Sequence, residues 1–238
     1  MKLIAAIITF ILLISGIKGL IWLKSSRAPQ IFGVAINRIK TTDKVVAITY
    51  DDGPNPPYTD QILQVLHDLD VKATFFVLGK ELEKHPEYVE KIASQEHDIG
   101  NHSWSHEQLI FKSPTFIKNE IYKTDTLIKS LGYQKAIHFR APYGRKLFIL
   151  PWILSSQNRT HILFDVAPDD WECPSVDVIV SRVMQNVKPG SILLFHDGCG
   201  DDGGCNDRSQ TVQATRIIIE KLTADGYNFL TVSQLLAK

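Results

Sequence analysis

Val45-Val46-Ala47-Ile48-Thr49-Tyr50-Asp51-Asp52-Gly53-Pro54 is a run of apolar and β-branched residues that stops abruptly on two acids and a turn. Such a run, with no polar residue on alternate positions, reads as a strand buried on both faces. Gly-Pro then turns the chain and leaves two carboxylates at the strand end. Outward from this strand the same rhythm recurs, with apolar runs at 73–78, 137–139, 161–166, 191–195 and 227–230. Amphipathic stretches at 59–69, 86–95, 114–131, 176–187 and 211–224 separate them. Strands alternating with helices predict an α/β fold with a parallel sheet covered by helices. Residues 43–238 make up this body, fewer than the roughly 250 of an eight-unit barrel. A barrel with fewer units or an open doubly wound sheet fits that length, and either puts functional residues at the C-terminal ends of strands.

The chain has 238 residues with 26 basic and 26 acidic side chains, 44% hydrophobic and 22% charged. That composition excludes disordered and collagen-like chains, and a net charge of zero gives no support for a nucleic-acid partner. Residues 1–27 hold four basic residues and no acid, so residues 28–238 carry 22 basic against 26 acidic groups. Sixteen of the 21 residues Leu3–Leu23 are apolar, and as a helix they would span roughly 31 Å, enough for a bilayer core. Only Leu3–Ile17 is free of charge, which suits the apolar region of an export signal; Ser26-Arg27-Ala28 resembles a processing site, but Pro29 follows it. The expectation is a membrane helix over 1–24, an uncleaved anchor with a cleaved signal as the alternative, then a linker over 25–42. The body is expected outside the cytoplasm, anchored to the membrane, or secreted if the signal is cleaved.

Polar signals sit where the predicted strands end. Asp51 and Asp52 follow the first. His102 and His106 in Gly100–His106 are four apart, so a helical turn would present both imidazoles to one metal ion. With a carboxylate from another strand end they complete a site that leaves positions open for water or substrate. Arg140 opens Arg140-Ala141-Pro142-Tyr143-Gly144, where it can grip a carboxylate and the loop amides can face an oxyanion. Asp169-Asp170-Trp171 and Leu193-Leu194-Phe195-His196-Asp197-Gly198 follow, and an imidazole at a strand end is a candidate acid or base. Each signal alone has an ordinary structural explanation; five in succession do not.

The stretches TYDDGP, HSWSH, RAPYG, DDW and LLFHDG, with KATFFVLG, HDIGNH and DRSQTV around them, resemble the polysaccharide deacetylases of the NodB-homology family, carbohydrate esterase family four, over roughly residues 43–236. The resemblance implies a distorted (β/α) barrel with fewer than eight regular units. It implies that Asp52, His102 and His106 hold a divalent metal, zinc first, with cobalt, nickel or iron as alternatives. Asp51 would be the general base, Arg140 its partner, His196 the general acid and Asp170 the residue that tunes it. The Tyr143 backbone N–H would help bind the oxyanion, and Trp171 and Leu194 would wall a pocket for the acetyl methyl. The expected reaction is removal of N-acetyl groups from N-acetylglucosamine units of peptidoglycan or a chitin-like polymer. An O-acetyl xylan esterase and a catalytically silent carbohydrate-binding protein are the alternatives, and the oligomeric state is not fixed.

Three cysteines in an exported domain suggest one disulfide and one free thiol, with Cys173–Cys199 and Cys199–Cys205 as the pairings considered. Residues 199–207 insert beside the expected site; their acids read as a solvated loop rather than a calcium site.

Overall fold

In the computed structural model, residues 15–16, 18–19, 32–200 and 206–238 are described. The strands are β1 (Ala35–Ile36), β2 (Val45–Asp51), β3 (Thr74–Val77), β4 (Asp98–Asn101), β5 (His161–Ile162), β6 (Ile192–His196) and β7 (Asn228–Phe229). The helices are α1 (Tyr58–Asp68), α2 (Gly79–Lys84), α3 (Tyr88–Ala93), α4 (Pro114–Ser130), α5 (Ile149–Ser156), α6 (Val176–Asn186), α7 (Ser209–Ala224) and α8 (Val232–Leu236).

All seven residues of β2 are buried, as an unbroken apolar strand requires. It is the hub of a parallel sheet in the order β4-β3-β2-β6, with β7 alongside its first residues. Single parallel bridges carry the pairing on from Asn101 to Phe139, from Phe139 to His161, and from Val166 to Leu193 of β6. The strands therefore form a closed but irregular ring, with two members reduced to a bridge or a two-residue strand. Residues 161–166 explain the irregularity. They pair first with β1 and Phe139, then cross so that Val166 reaches β6.

The main core joins Tyr50, Phe75 and Phe195 of the strands to Leu66 of α1, Ile179 and Val183 of α6, and Ile218 and Leu222 of α7. Each such side chain contributes about 1.5–3 kcal/mol by leaving water. A second cluster packs α4 and α5 together through Ile117, Ile121, Leu150, Ile153 and Leu154. Ser113 caps α4, its side chain accepting the Phe116 N–H at 3.2 Å, with Pro114 at the first helical position.

The stretch expected as a linker contributes β1, and the Ile39 N–H donates to the Gly190 carbonyl at 2.9 Å, so the body begins within it. The helix expected over 1–24 lies outside the described residues, apart from 15–16 and 18–19, which are helical. Among the described residues no helix is long and apolar enough to cross a membrane. Cys173 is disulfide-bonded and Cys199 carries a free thiol, which corrects both pairings considered, since each used Cys199. Cys205 lies outside the described residues.

Candidate active site

All five polar signals converge at the C-terminal ends of the strands, around a cavity of about 310 Å³. Asp51, Asp52, His102, His106, Tyr143, Trp171, Leu194 and His196 line it. Asp51 and His196 are register partners on β2 and β6, so backbone pairing alone sets them side by side.

Asp52, His102 and His106 each direct one ligand atom into a group whose members lie within 4.8 Å of one another. The Nε2 atoms of His102 and His106 stand 3.5 and 3.3 Å from Asp52 Oδ1. His102 Nδ1 donates to the Arg140 carbonyl at 2.9 Å, which fixes the tautomer and leaves the Nε2 lone pair pointing into the group. Burial lowers the His102 pKa to about 3, so the ring is neutral at pH 7. Asp52 Oδ1 is buried without a hydrogen-bond partner. Lone pairs converging on an unsatisfied carboxylate oxygen are what a divalent cation neutralises, and the residues fit one.

The expected helical turn behind the two histidines is absent. Residues 102–106 form a loop in which Ser103 and His106 have positive φ (74° and 63°). Hydrogen bonds hold it: Asn101 Oδ1 accepts the Ser103 N–H at 2.7 Å, and Ser103 Oγ accepts the His106 N–H at 3.1 Å. Buried Glu120 on α4 takes the N–H groups of Trp104 and Ser105 at 3.0 and 2.9 Å. Asp52 also has positive φ (75°), and a Cβ on Gly198 would stand 2.1 Å from the Asp52 carbonyl oxygen. Only glycine allows that approach.

Arg140 is fully buried and stacks over Phe76, its guanidinium carbon 4.1 Å from the ring centre. It donates to Asp51 Oδ1 at 2.7 Å, to Thr49 Oγ1 at 2.8 Å and to the Leu163 carbonyl at 3.2 Å. Burial raises the Asp51 pKa, and the Arg140 charge opposes the rise without cancelling it. Arg140 favours the charged carboxylate of Asp51, while desolvation acts more strongly the other way.

His196 has the opposite arrangement. Its Nδ1 donates to Asp170 Oδ1 at 2.8 Å, while Asp170 Oδ2 accepts the His196 backbone N–H and the Thr211 hydroxyl, both at 2.9 Å. Burial alone would lower the His196 pKa, but the Asp170 charge and hydrogen bond, together with the charges of Asp52 and Asp51, lift the value to about 9. Burial likewise works against the Asp170 charge, and His196 prevails, holding that carboxyl below its ordinary range.

Tyr143 sits in the left-handed region (φ 60°) with its ring 4.7 Å from that of His106. Trp171 meets the His196 ring edge-on at 5.6 Å, and Leu194 is buried in the floor. Sequence reading passed over Asp197, whose carboxylate accepts the Thr59 hydroxyl at 2.6 Å while its own N–H donates to the Asp51 carbonyl at 3.1 Å. Burial raises its pKa to about 7.

A family profile described as polysaccharide deacetylase matches residues 38–158. The chain belongs to that family. It is 34% identical over 200 residues to a peptidoglycan-N-acetylglucosamine deacetylase of Bacillus cereus, covering 83% of this chain and 91% of that one. It is 35% identical over 214 residues to a chitooligosaccharide deacetylase of Rhizobium leguminosarum bv. trifolii, covering 87% and 99%. Among solved structures it resembles a CE4 family pseudoenzyme from Bacillus anthracis, with TM-score 0.77 and 29% identity over 87% of this chain and 70% of that one.

Proposed function

We propose that this chain is a metal-dependent hydrolase that removes N-acetyl groups from N-acetylglucosamine units of an extracytoplasmic polysaccharide. One observation carries the reading. A carboxylate backed by a buried arginine and an imidazole backed by a buried aspartate face one cavity, beside three converged metal-ligand atoms. A protein that only binds glycans needs neither pair, which supports the enzyme reading over that of a silent family member.

Asp52, His102 and His106 would hold the metal, zinc first. A bound divalent cation supplies Lewis acidity toward the amide carbonyl and makes water easier to deprotonate. Asp51 takes a proton from the attacking water. The backbone N–H of Tyr143 receives the developing oxyanion. His196, protonated at neutral pH and held through Nδ1, gives its Nε2 proton to the nitrogen as the C–N bond breaks. The products are acetate and a free amine. Trp171 and Leu194 wall the acetyl methyl. Leu3–Leu23 supports an anchor that holds the body outside the cytoplasm.

Acetate release tests the reading, with N-acetyl-chitooligosaccharides, peptidoglycan and acetylated xylan as substrates, each with zinc and with chelator. Metal-dependent release from either amide substrate, abolished in Asp51→Asn, is the expected result. Release from xylan alone would make the chain an O-acetyl esterase. No release by folded, metal-loaded protein would overturn the enzyme reading.

A further inference from the structure

Among the exposed large apolar side chains away from the cavity, which also include Phe111, Tyr122 and Val178, four lie on or beside α5. Phe148, Trp152 and Ser155 follow one another at helical spacing on the outer face of α5, and Phe148 and Trp152 are 40% and 49% exposed. The chain enters the body against this stripe, since a Cβ on Gly33 would stand 3.1 Å from Ser155 Cβ. Its neighbours Phe32 and Val34 are exposed as well. Lys118 of α4 lies 5.8 Å from the Trp152 ring centre, so a cation borders the apolar stripe.

The charge of this region departs from that of the body. Residues 108–160 hold nine basic and two acidic side chains, whereas residues 28–238 as a whole have an acidic excess of four. Of the nine, Arg140 and Lys146 are buried and Arg159, Lys112 and Lys135 pair with Asp125, Glu107 and Asp98, so the basic character of the surface rests on Lys118, Lys123, Lys129 and Arg145. Tryptophan and phenylalanine bordered by lysine suit the headgroup level of a bilayer, and a basic face suits anionic lipid. The apolar segment Leu3–Leu23 ends nine residues before Phe32 and is followed by Lys24 and Arg27.

We infer that the outer face of α5, with Phe148, Trp152 and the entering residues Phe32–Val34, rests on the surface of an anionic bilayer. This rests on the membrane-anchor reading of residues 3–23. The two membrane contacts would fix how the catalytic cavity faces the polymer, because the loop Tyr143–Arg145 that lines the cavity runs directly into Phe148.

Two tryptophans separate this inference from the reading it rests on. Full-length protein is reconstituted in vesicles of equal parts phosphatidylglycerol and phosphatidylcholine, with and without brominated acyl chains. The emission of each tryptophan is taken as the difference between the parent and its Trp22→Phe or Trp152→Phe variant. Both emissions are expected to fall, that of Trp152 roughly twofold, and Lys118→Glu should weaken the quenching of Trp152 while leaving that of Trp22. Quenching of Trp22 with Trp152 untouched would overturn the inference and keep the anchor. Quenching of neither would overturn the anchor and the inference with it. Trp152 quenched equally in vesicles without phosphatidylglycerol would overturn the assignment to anionic lipid.

Discussion

The two carboxylate–cation pairs of the cavity use the same materials in reverse. On one side the arginine is fully buried and the carboxylate of Asp51 faces the metal ligands, with Asp51 Oδ2 3.6 Å from His102 Nε2. On the other the carboxylate of Asp170 is fully buried and the His196 imidazole lines the cavity. In each pair, the proposed reaction assigns the working role to the member facing the cavity and the supporting role to the buried one. The supports act unequally. Asp170, with the charges of Asp52 and Asp51, reverses the effect of burial on His196, whereas Arg140 only moderates its effect on Asp51. Both groups therefore titrate higher than usual, which would set the pH window of the proposed reaction.

The largest effects should come from removing the working groups. Asp51→Asn and His196→Asn are each expected to lower kcat about 10²–10⁴-fold. The pH profiles tell the two apart. In the parent, activity rises as Asp51 ionises, above the ordinary carboxylate range, and falls as His196 loses its proton near pH 9. Asp51→Asn should erase the rising limb and His196→Asn the falling one. A falling limb that survives in His196→Asn would remove His196 as the acid.

Exchanging the supports sharpens the asymmetry. Arg140→Met leaves a buried carboxylate uncompensated and should cost about 3–5 kcal/mol of stability, read from urea unfolding. Asp170→Asn removes the charge that lifts His196 while burial persists, so the falling limb should move to lower pH. An unmoved limb would mean that another group sets it. Between these in character is Gly198→Ala. Its Cβ would collide with the Asp52 backbone, and metal affinity should fall about 10–100-fold with the acid pair intact, measured by competition with a chelator.

Sequence reading reached the two sides of the site unequally. Strands β2, β3 and β6 are legible because their apolar runs are unbroken. β4 was not read as a strand because Asp98-Ile99-Gly100-Asn101 has little strand propensity. It pairs because it is fully buried beside β3, and Gly100 is needed where a Cβ would stand 2.4 Å from the Phe76 ring. The residues that meet at the cavity were named by resemblance, but the loop carrying His102 and His106 was not legible, since its shape depends on contacts distant in sequence. Glu120 is the instructive case. It lies on the α4 stripe with Ile117, Ile121 and Thr124, all buried. An acid on a buried stripe signals a partner that the amphipathic pattern alone does not identify.

That residue yields the smallest prediction. Glu120 accepts three hydrogen bonds through Oε2: the N–H groups of Trp104 and Ser105 and the Ser105 hydroxyl, the last at 3.0 Å. None of these groups touches the metal ligands' donor atoms, so Glu120→Gln leaves the ligand set complete. A neutral amide oxygen can still accept, but bonds to charged acceptors are worth about 1 kcal/mol more than neutral ones. The loop between His102 and His106 should loosen accordingly, and metal affinity should fall roughly fivefold while the pH limits of activity stay where they are. If Glu120→Gln moves the falling limb, the carboxylate acts on His196 through the field of the site. If it changes neither affinity nor limb, the Asn101 and Ser103 bonds are enough to shape the loop, and the metal side is as self-contained as the acid side.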